Sequence, residues 1–246
     1  MPSAPGPSVR LFVASDLAEG TIHDCDAGQT NYLASVLRLD AGTELLVFNG
    51  RDGEWVAEIA EVGRRMCRLV TRKRVRVQIS GPDVHYLFAP LKRSRLDYMV
   101  QKATELGVSS LRPTVTRRTQ VERVNLDRMR ANAIEAAEQC GILRIPEVAE
   151  TMKLDRLIST WDPSRWLIFC DEAADLAPPI ATLSSVPRGP LAVLIGPEGG
   201  FTVEERDSLK SLPCVTSLSL GPRIMRADTA AVAALSLVNA TLGDWR

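Results

Sequence analysis

Leu191-Ala192-Val193-Leu194-Ile195-Gly196-Pro197-Glu198-Gly199-Gly200-Phe201-Thr202-Val203-Glu204-Glu205 is the stretch from which the fold can be read. Its unbroken apolar run, with no polar alternation, predicts a strand buried on both faces. The glycine-rich turn at 196–200 ends the strand, and Thr202-x-x-Glu205 predicts a capping box that opens a helix. A buried strand leading through a turn into a helix is the repeating unit of a parallel sheet.

The same alternation continues on both sides. Strands are expected at Val84–Ala89, Val108–Val115, Trp166–Cys170 and Ser217–Leu220. A helix is expected at Ser94–Leu106, with Leu96, Met99, Val100, Ala103 and Leu106 on one face, Ser94 and Asp97 as a capping box, and Gly107 as its stop. Two more are expected at Asn125–Gln139 and Thr229–Ala240. Residues 1–79 read differently. Short strands at Arg10–Val13, Glu44–Phe48, Glu54–Ile59 and Cys67–Val70, a hairpin signal at 49–53 and a short helix at Tyr32–Leu37 predict a small β-barrel. Ser80-Gly81-Pro82-Asp83 is the candidate linker, which gives domains at 1–79 and 80–246.

Composition narrows the function classes. The 246 residues carry 30 Lys+Arg and 30 Asp+Glu, a net charge of zero. By position the balance is −7 over residues 1–63, +12 over 64–130 and −5 over 131–246, so neutrality hides a basic centre suited to a polyanion. No apolar run approaches the roughly 20 residues of a membrane span, and the start lacks the apolar core of a signal peptide. A cytoplasmic protein is therefore expected. Five scattered cysteines without Cys-x-x-Cys and only two histidines, His23 and His85, argue against a disulfide framework, a metal site and Ser-His-Asp chemistry.

Ligands of open α/β sheets bind beyond the carboxyl ends of the strands. Two loops sit at such ends. In Gly196-Pro197-Glu198-Gly199-Gly200, absent Cβ atoms let peptide groups approach a ligand. The spacing matches neither a Walker loop nor a dinucleotide fingerprint. The second loop, Leu220-Gly221-Pro222-Arg223-Ile224-Met225-Arg226-Ala227-Asp228-Thr229-Ala230, places two arginines and a carboxylate before a helix start, where cations and N–H groups can orient an anion.

Together these two motifs closely resemble the C-terminal signature of the RsmE-type 16S ribosomal RNA uridine-N3 methyltransferases, a SPOUT-class family. Lys92-x-x-Arg95-x-Asp97-x-x-x-Gln101-Lys102-x-x-Glu105-Leu106-Gly107-Val108 and Glu135-Ala136-Ala137-Glu138-Gln139-Cys140 resemble its central motifs. Val36-Leu37-Arg38 and the hairpin at Asn49-Gly50 resemble its N-terminal barrel. The resemblance implies an α/β fold with a PUA-like RNA-binding β-barrel before a methyltransferase domain whose C-terminal segment forms a trefoil knot. It implies S-adenosylmethionine as cofactor, a homodimer, no metal, and methylation of ring nitrogen 3 of one uridine in the small ribosomal subunit. By the same analogy the cofactor would be held by Leu194, Ile195, Gly196, Pro197, Glu198, Gly199 and Gly200, and by Leu218, Leu220, Gly221, Pro222, Arg223, Ile224 and Met225.

Uridine N3 must lose a proton before it attacks. Arg226 and Arg95 are candidate cationic stabilisers, and Glu198 or Asp228 a candidate orienting or proton-accepting carboxylate. Arg38, Arg72, Arg74, Lys92, Arg93, Arg95, Arg117 and Arg118 are candidate RNA contacts, the basic centre lining a cleft between domains. Ile142 stands where the family commonly has Arg, Asp228 where it has Glu, and Met225 where it has Leu. These departures leave open a non-catalytic RNA-binding or ribosome-assembly protein that retains the fold.

Overall fold

The computed structural model describes residues 9–121 and 123–245. The chain forms two compact units, the first comprising residues 1–80 and 137–144, the second residues 81–136 and 145–246.

The first unit contains β1 (Arg10–Phe12), β2 (Ile22–Asp24), α1 (Ala27–Thr30), β3 (Glu44–Phe48), β4 (Glu54–Val62) and β5 (Cys67–Arg76). The strands form one sheet in the order β1-β3-β4-β5-β2, parallel between β1 and β3 and antiparallel elsewhere. Register shifts between β4 and β5 bend the sheet around Leu33, Leu45, Val47, Ala57, Ile59 and Leu69, all fully buried. The expected helix at Tyr32–Leu37 is present as a π-helical turn, Asn31–Val36, continuing α1. Strand β5 runs past its apolar stretch because Arg72 and Arg76 pair with Glu58 and Glu54 of β4.

Residues 137–144, placed by sequence in the second domain, pack with the first. The cause is Arg10, whose guanidinium donates to the carbonyls of Ala137, Glu138 and Ile142 while its Nε lies 2.7 Å from buried Glu54. The first two carbonyls lie in the last turn of the helix Leu126–Gln139, and a cation at that end satisfies groups a helix leaves unpaired. Phe12 N–H donates to Glu138 Oε1 at 2.8 Å and ties the same segment to β1. Ile142 thus contributes its backbone, not a cation.

The second unit contains β6 (Val84–Phe88), α2 (Arg93–Glu105), β7 (Ser110–Val115), the start of α3 (Leu126–Gln139), β8 (Glu147–Val148), β9 (Met152–Lys153), α4 (Leu154–Ser159), β10 (Trp166–Cys170), α5 (Pro179–Ser184), β11 (Leu191–Ile195), α6 (Val203–Lys210), β12 (Val215–Leu218) and α7 (Ala227–Thr241). Its sheet has the order β12-β10-β11-β6-β7-β8, with β9 also on β7, and every pair is parallel. Both faces are covered. Leu191, Val193 and Ile195 face a core shared with α2, α5 and α7, whereas Ala192 and Leu194 face Leu154, Leu157, Phe201 and Leu209 of the opposite layer. Among the described residues no helix is long and apolar enough to cross a membrane.

Three local expectations are corrected. Ser94 does not cap α2: the helix begins one residue earlier on Lys92 without a side-chain cap, because Asp97 is taken by Arg128 and Asn132. Helix α7 begins at Ala227 on Arg226 rather than at Thr229. Strand β12 lies two residues before its expected position, which frees Ser219 and Leu220 for the loop.

Candidate active site

The carboxyl ends of β10, β11 and β12 are neighbours in the sheet, so the three loops that leave them meet. They enclose a cavity of about 680 Å³ lined by residues of 170–176, 195–200 and 218–225 and by Ala227 and Ala230 of the first turn of α7.

The loop after β11 is shaped by close packing. A Cβ on Gly196 would lie 2.4 Å from the ring of fully buried Phe201, which packs edge-on against Phe169 with centroids 4.9 Å apart. Gly200 has φ +67°, and a Cβ there would meet Glu172 Oε1 at 2.1 Å. Gly200 N–H closes the turn onto the Pro197 carbonyl at 2.9 Å. The predicted capping box of Thr202 and Glu205 is present. Buried Glu205 does more than cap, because its carboxylate also accepts from the backbone N–H of Arg117 at 2.8 Å and fastens the loop after β7 beside this turn.

Charged side chains hold the loops in place. Arg95 of α2 pairs with Glu198, and Arg118 donates to the Gly199 carbonyl at 2.7 Å. Asp171, buried at the end of β10, meets Arg206 at 3.0 Å and Lys210 at 3.0 Å, while Arg206 also pairs with Glu172. Desolvation pushes the Cys170 thiol up to about 12, which keeps it protonated. Tyr86, fully buried beneath the site, is likewise held well above its ordinary value by burial.

Of the residues expected to hold a cofactor, all line the cavity except Leu194. Strand alternation turns Leu194 into the opposite core layer. The sequence reading missed Asp171, Glu172, Ala173, Ala174 and Leu176, which follow β10, and the small residues Ala227 and Ala230. The sheet order places β10 between β11 and β12, and strand adjacency was the one signal that could have found them.

Glu198 lines the cavity and Arg95 reaches it through Glu198. Arg226 and Asp228 flank Ala227 at the start of α7; they are neighbours of the lining and not part of it, and Asp228 accepts from Thr229 N–H at 2.9 Å. Lys92, Arg93, Arg117 and Arg118 lie on the second unit around the starts of α2 and the loop after β7. On the first unit, Arg38 follows the π-helical turn with φ +55°, Arg72 pairs with Glu58, and Arg74 lies over the Trp55 ring at 5.9 Å.

A parallel α/β sheet with a glycine-lined cavity at its carboxyl edge, joined to a small β unit, defines the class. Residues 80–239 match the family model of the RNA methyltransferase domain, and residues 26–72 match that of the RNA methyltransferase PUA domain. The chain belongs to the RNA methyltransferase family. More particularly, it is 29% identical to the ribosomal RNA small subunit methyltransferase E of Rickettsia conorii, over 93% of this chain and 94% of that protein. Among solved structures, a Legionella pneumophila protein described as a methyltransferase, with its cofactor SAM bound, is 29% identical with a TM-score of 0.85, covering 96% of this chain and 98% of that one. The Neisseria gonorrhoeae ribosomal RNA small subunit methyltransferase E, bound to S-adenosyl methionine, has a TM-score of 0.86 over 97% of this chain and 99% of that one; at 21% identity it bears on the fold alone.

Proposed function

We propose that the chain transfers a methyl group from S-adenosylmethionine to ring nitrogen 3 of one uridine in 16S ribosomal RNA, within the small subunit. The observation that carries this reading is the cavity formed by the three strand-end loops in a chain that matches the RNA methyltransferase domain.

The residues present fit the cofactor. About 680 Å³ lies within the range of small-molecule sites. Gly196, Gly199, Gly200 and Gly221 line the cavity, although the Gly200 N–H and the Gly199 carbonyl are already taken by Pro197 and Arg118, and Leu176, Leu220, Ile224 and Met225 offer an apolar wall for a nucleobase. The lining carboxylates are already paired, Asp171 with Arg206 and Lys210, Glu172 with Arg206 and Glu198 with Arg95, so they hold the loops rather than set the charge of the cavity, while Arg223 places a guanidinium along the lining for a ligand carboxylate. When bound, S-adenosylmethionine supplies an electrophilic methyl group. The protein orients the acceptor, removes the N3 proton and stabilises the resulting anion. Glu198, held by Arg95 at the lining, and Asp228, at the start of α7, are the candidate proton acceptors, and Arg226 and Arg95 are the cations that would face the uridine anion.

RNA would be bound by the barrel through Arg38, Arg72 and Arg74 and by the methyltransferase domain through Lys92, Arg93, Arg95, Arg117 and Arg118. The same reading takes residues 1–79 and 80–246 as the two domains, threads the chain after β12 as a trefoil knot, and places the protein in the cytoplasm as a homodimer. Exposed Leu176 and Ile224 at the cavity offer an apolar surface for a second copy.

Mass spectrometry of ribosomal RNA from cells with and without the protein tests the reaction, with loss of a single N3-methyluridine as the expected result. Arg226→Ala should abolish turnover and leave the calorimetric affinity for S-adenosylmethionine largely intact; an active variant would remove Arg226 from the mechanism.

A further inference from the structure

A second cavity, of about 530 Å³, opens in the methyltransferase unit between the first turns of α2 and α3. Its floor is apolar, built from buried Leu91, Leu96 and Met129, with half-buried Val121 and Val124 on the wall. Its rim is cationic: Lys92, Arg93 and Arg123 are exposed at its edge. The carboxylate among its described lining residues is Asp97, and that group is already committed. Arg128 grips both its oxygens, at 2.8 and 2.6 Å, and Asn132 donates to one of them at 2.8 Å. This network holds the Asp97 carboxyl below its usual range, chiefly through the hydrogen bond from Arg128. Asp97 therefore shapes the wall and leaves the positive charge of the rim in place.

The first turn of α2 adds to that charge. Its cap residue, Lys92, makes no side-chain cap, and its carbonyl takes the N–H groups of Arg95 and Leu96, so the N–H groups of Arg93 and Ser94 lead the thirteen-residue helix beside the rim cations. An apolar floor under a cationic rim is the recognition chemistry of a nucleotide, with its base on the floor and its phosphate on the rim. Guanidinium planes at the edge can stack on such a base without an aromatic side chain.

Position relates this cavity to the first one. Arg95, on the same turn of α2, does not line this cavity and pairs with Glu198 of the cofactor cavity. The first turn of α2 thus supplies both the rim of this cavity, through Lys92 and Arg93, and a partner for the lining of the first, through Arg95. A strand of RNA crossing that turn would present one nucleotide to each.

We propose that this second cavity is a subsite for a nucleotide of the RNA strand flanking the one that is methylated, with Arg123 clamping its phosphate and Val124 lining its base. The inference rests on the proposed RNA methyltransferase activity. It is tested with a 16S ribosomal RNA transcript and three full-length variants. Arg123→Ala should raise the Kd and KM for the transcript about tenfold, leave kcat within about twofold, and reduce the log–log salt slope of binding by about one. Val124→Trp, which fills the cavity without altering charge, should weaken RNA binding and preserve the salt slope. Arg130→Ala, which removes an exposed cation of α3 outside the cavity, should change neither. Calorimetry with S-adenosylmethionine reports whether each variant is folded.

Wild-type affinity and slope in both Arg123→Ala and Val124→Trp would overturn the subsite, as would an Arg130→Ala defect equal to that of Arg123→Ala. Failure of the wild-type protein to methylate the transcript would instead sink the proposed activity, and the binding measurements keep the two failures apart.

Discussion

Two loops with the same opening, Ile195-Gly196-Pro197 and Leu220-Gly221-Pro222, leave strands that flank β10 on either side, yet they are held in opposite ways. The first is built into the protein. Phe201 fills the space beneath Gly196, Glu172 packs on Gly200, and Arg95 and Arg118 hold Glu198 and the Gly199 carbonyl. The second projects outward. Nothing lies within 4 Å of a Cβ on Gly221, its N–H has a long 3.3 Å contact with Ser219 Oγ, and Ile224 is 92% exposed. A loop with few buried contacts takes its order from what it meets. The first loop is thus a preformed wall of the cavity, and the second is the wall that the proposed cofactor, RNA or second subunit would complete.

The largest effect should follow from breaking the built wall. Gly196→Ala drives a methyl group into a ring that cannot retreat, because Phe201 is fully buried against Phe169. Overpacking of this kind costs about 3 kcal/mol. Denaturant unfolding should show that loss together with weakened binding of S-adenosylmethionine. A variant as stable as the wild type would mean that the wall yields, and the contrast between the loops would lose its basis.

Arg206→Ala should come next, at about 2 kcal/mol. It removes one of two cations from buried Asp171 and frees Glu172, the side chain that packs on Gly200. Arg206→Lys should recover only part of the loss, since an ammonium cannot match the fork that meets both carboxylates. Full recovery by Lys would show that charge alone, not the two-pronged geometry, holds the loop.

The contrast between the loops also marks what could be read from sequence. The strand Leu191–Ile195 and the capping box at Thr202 were legible, because apolar patterning and short-range capping are local properties. The lining after β10 was not, since Cys170-Asp171-Glu172 acquires its role only when β10 is found between β11 and β12. Ser94 misled for a related reason. Its expected partner three residues on, Asp97, is claimed by Arg128 of α3, thirty-one positions away, and a charge-assisted pair outweighs a local cap. The segment 137–144 shows the same limit, for long-range contacts with Arg10, Phe12 and Arg76 assign it to the barrel unit.

The smallest stability effect belongs to the open loop and gives the sharpest test of the comparison. Gly221 has φ +101°, a conformation that an L residue adopts at a cost of about 1 kcal/mol, but the space around it is empty. Gly221→Ala can therefore relax by shifting an exposed backbone that packs against little else. Its unfolding midpoint should move far less than that of Gly196→Ala. Its affinity for S-adenosylmethionine should fall by more than the stability change implies, because the shifted segment carries Pro222, Arg223, Ile224 and Met225 along the cavity lining. In a built loop, stability and ligand affinity decline together; in a loop ordered by its ligand they separate. Parallel losses in Gly221→Ala would mean that the second loop is as preformed as the first.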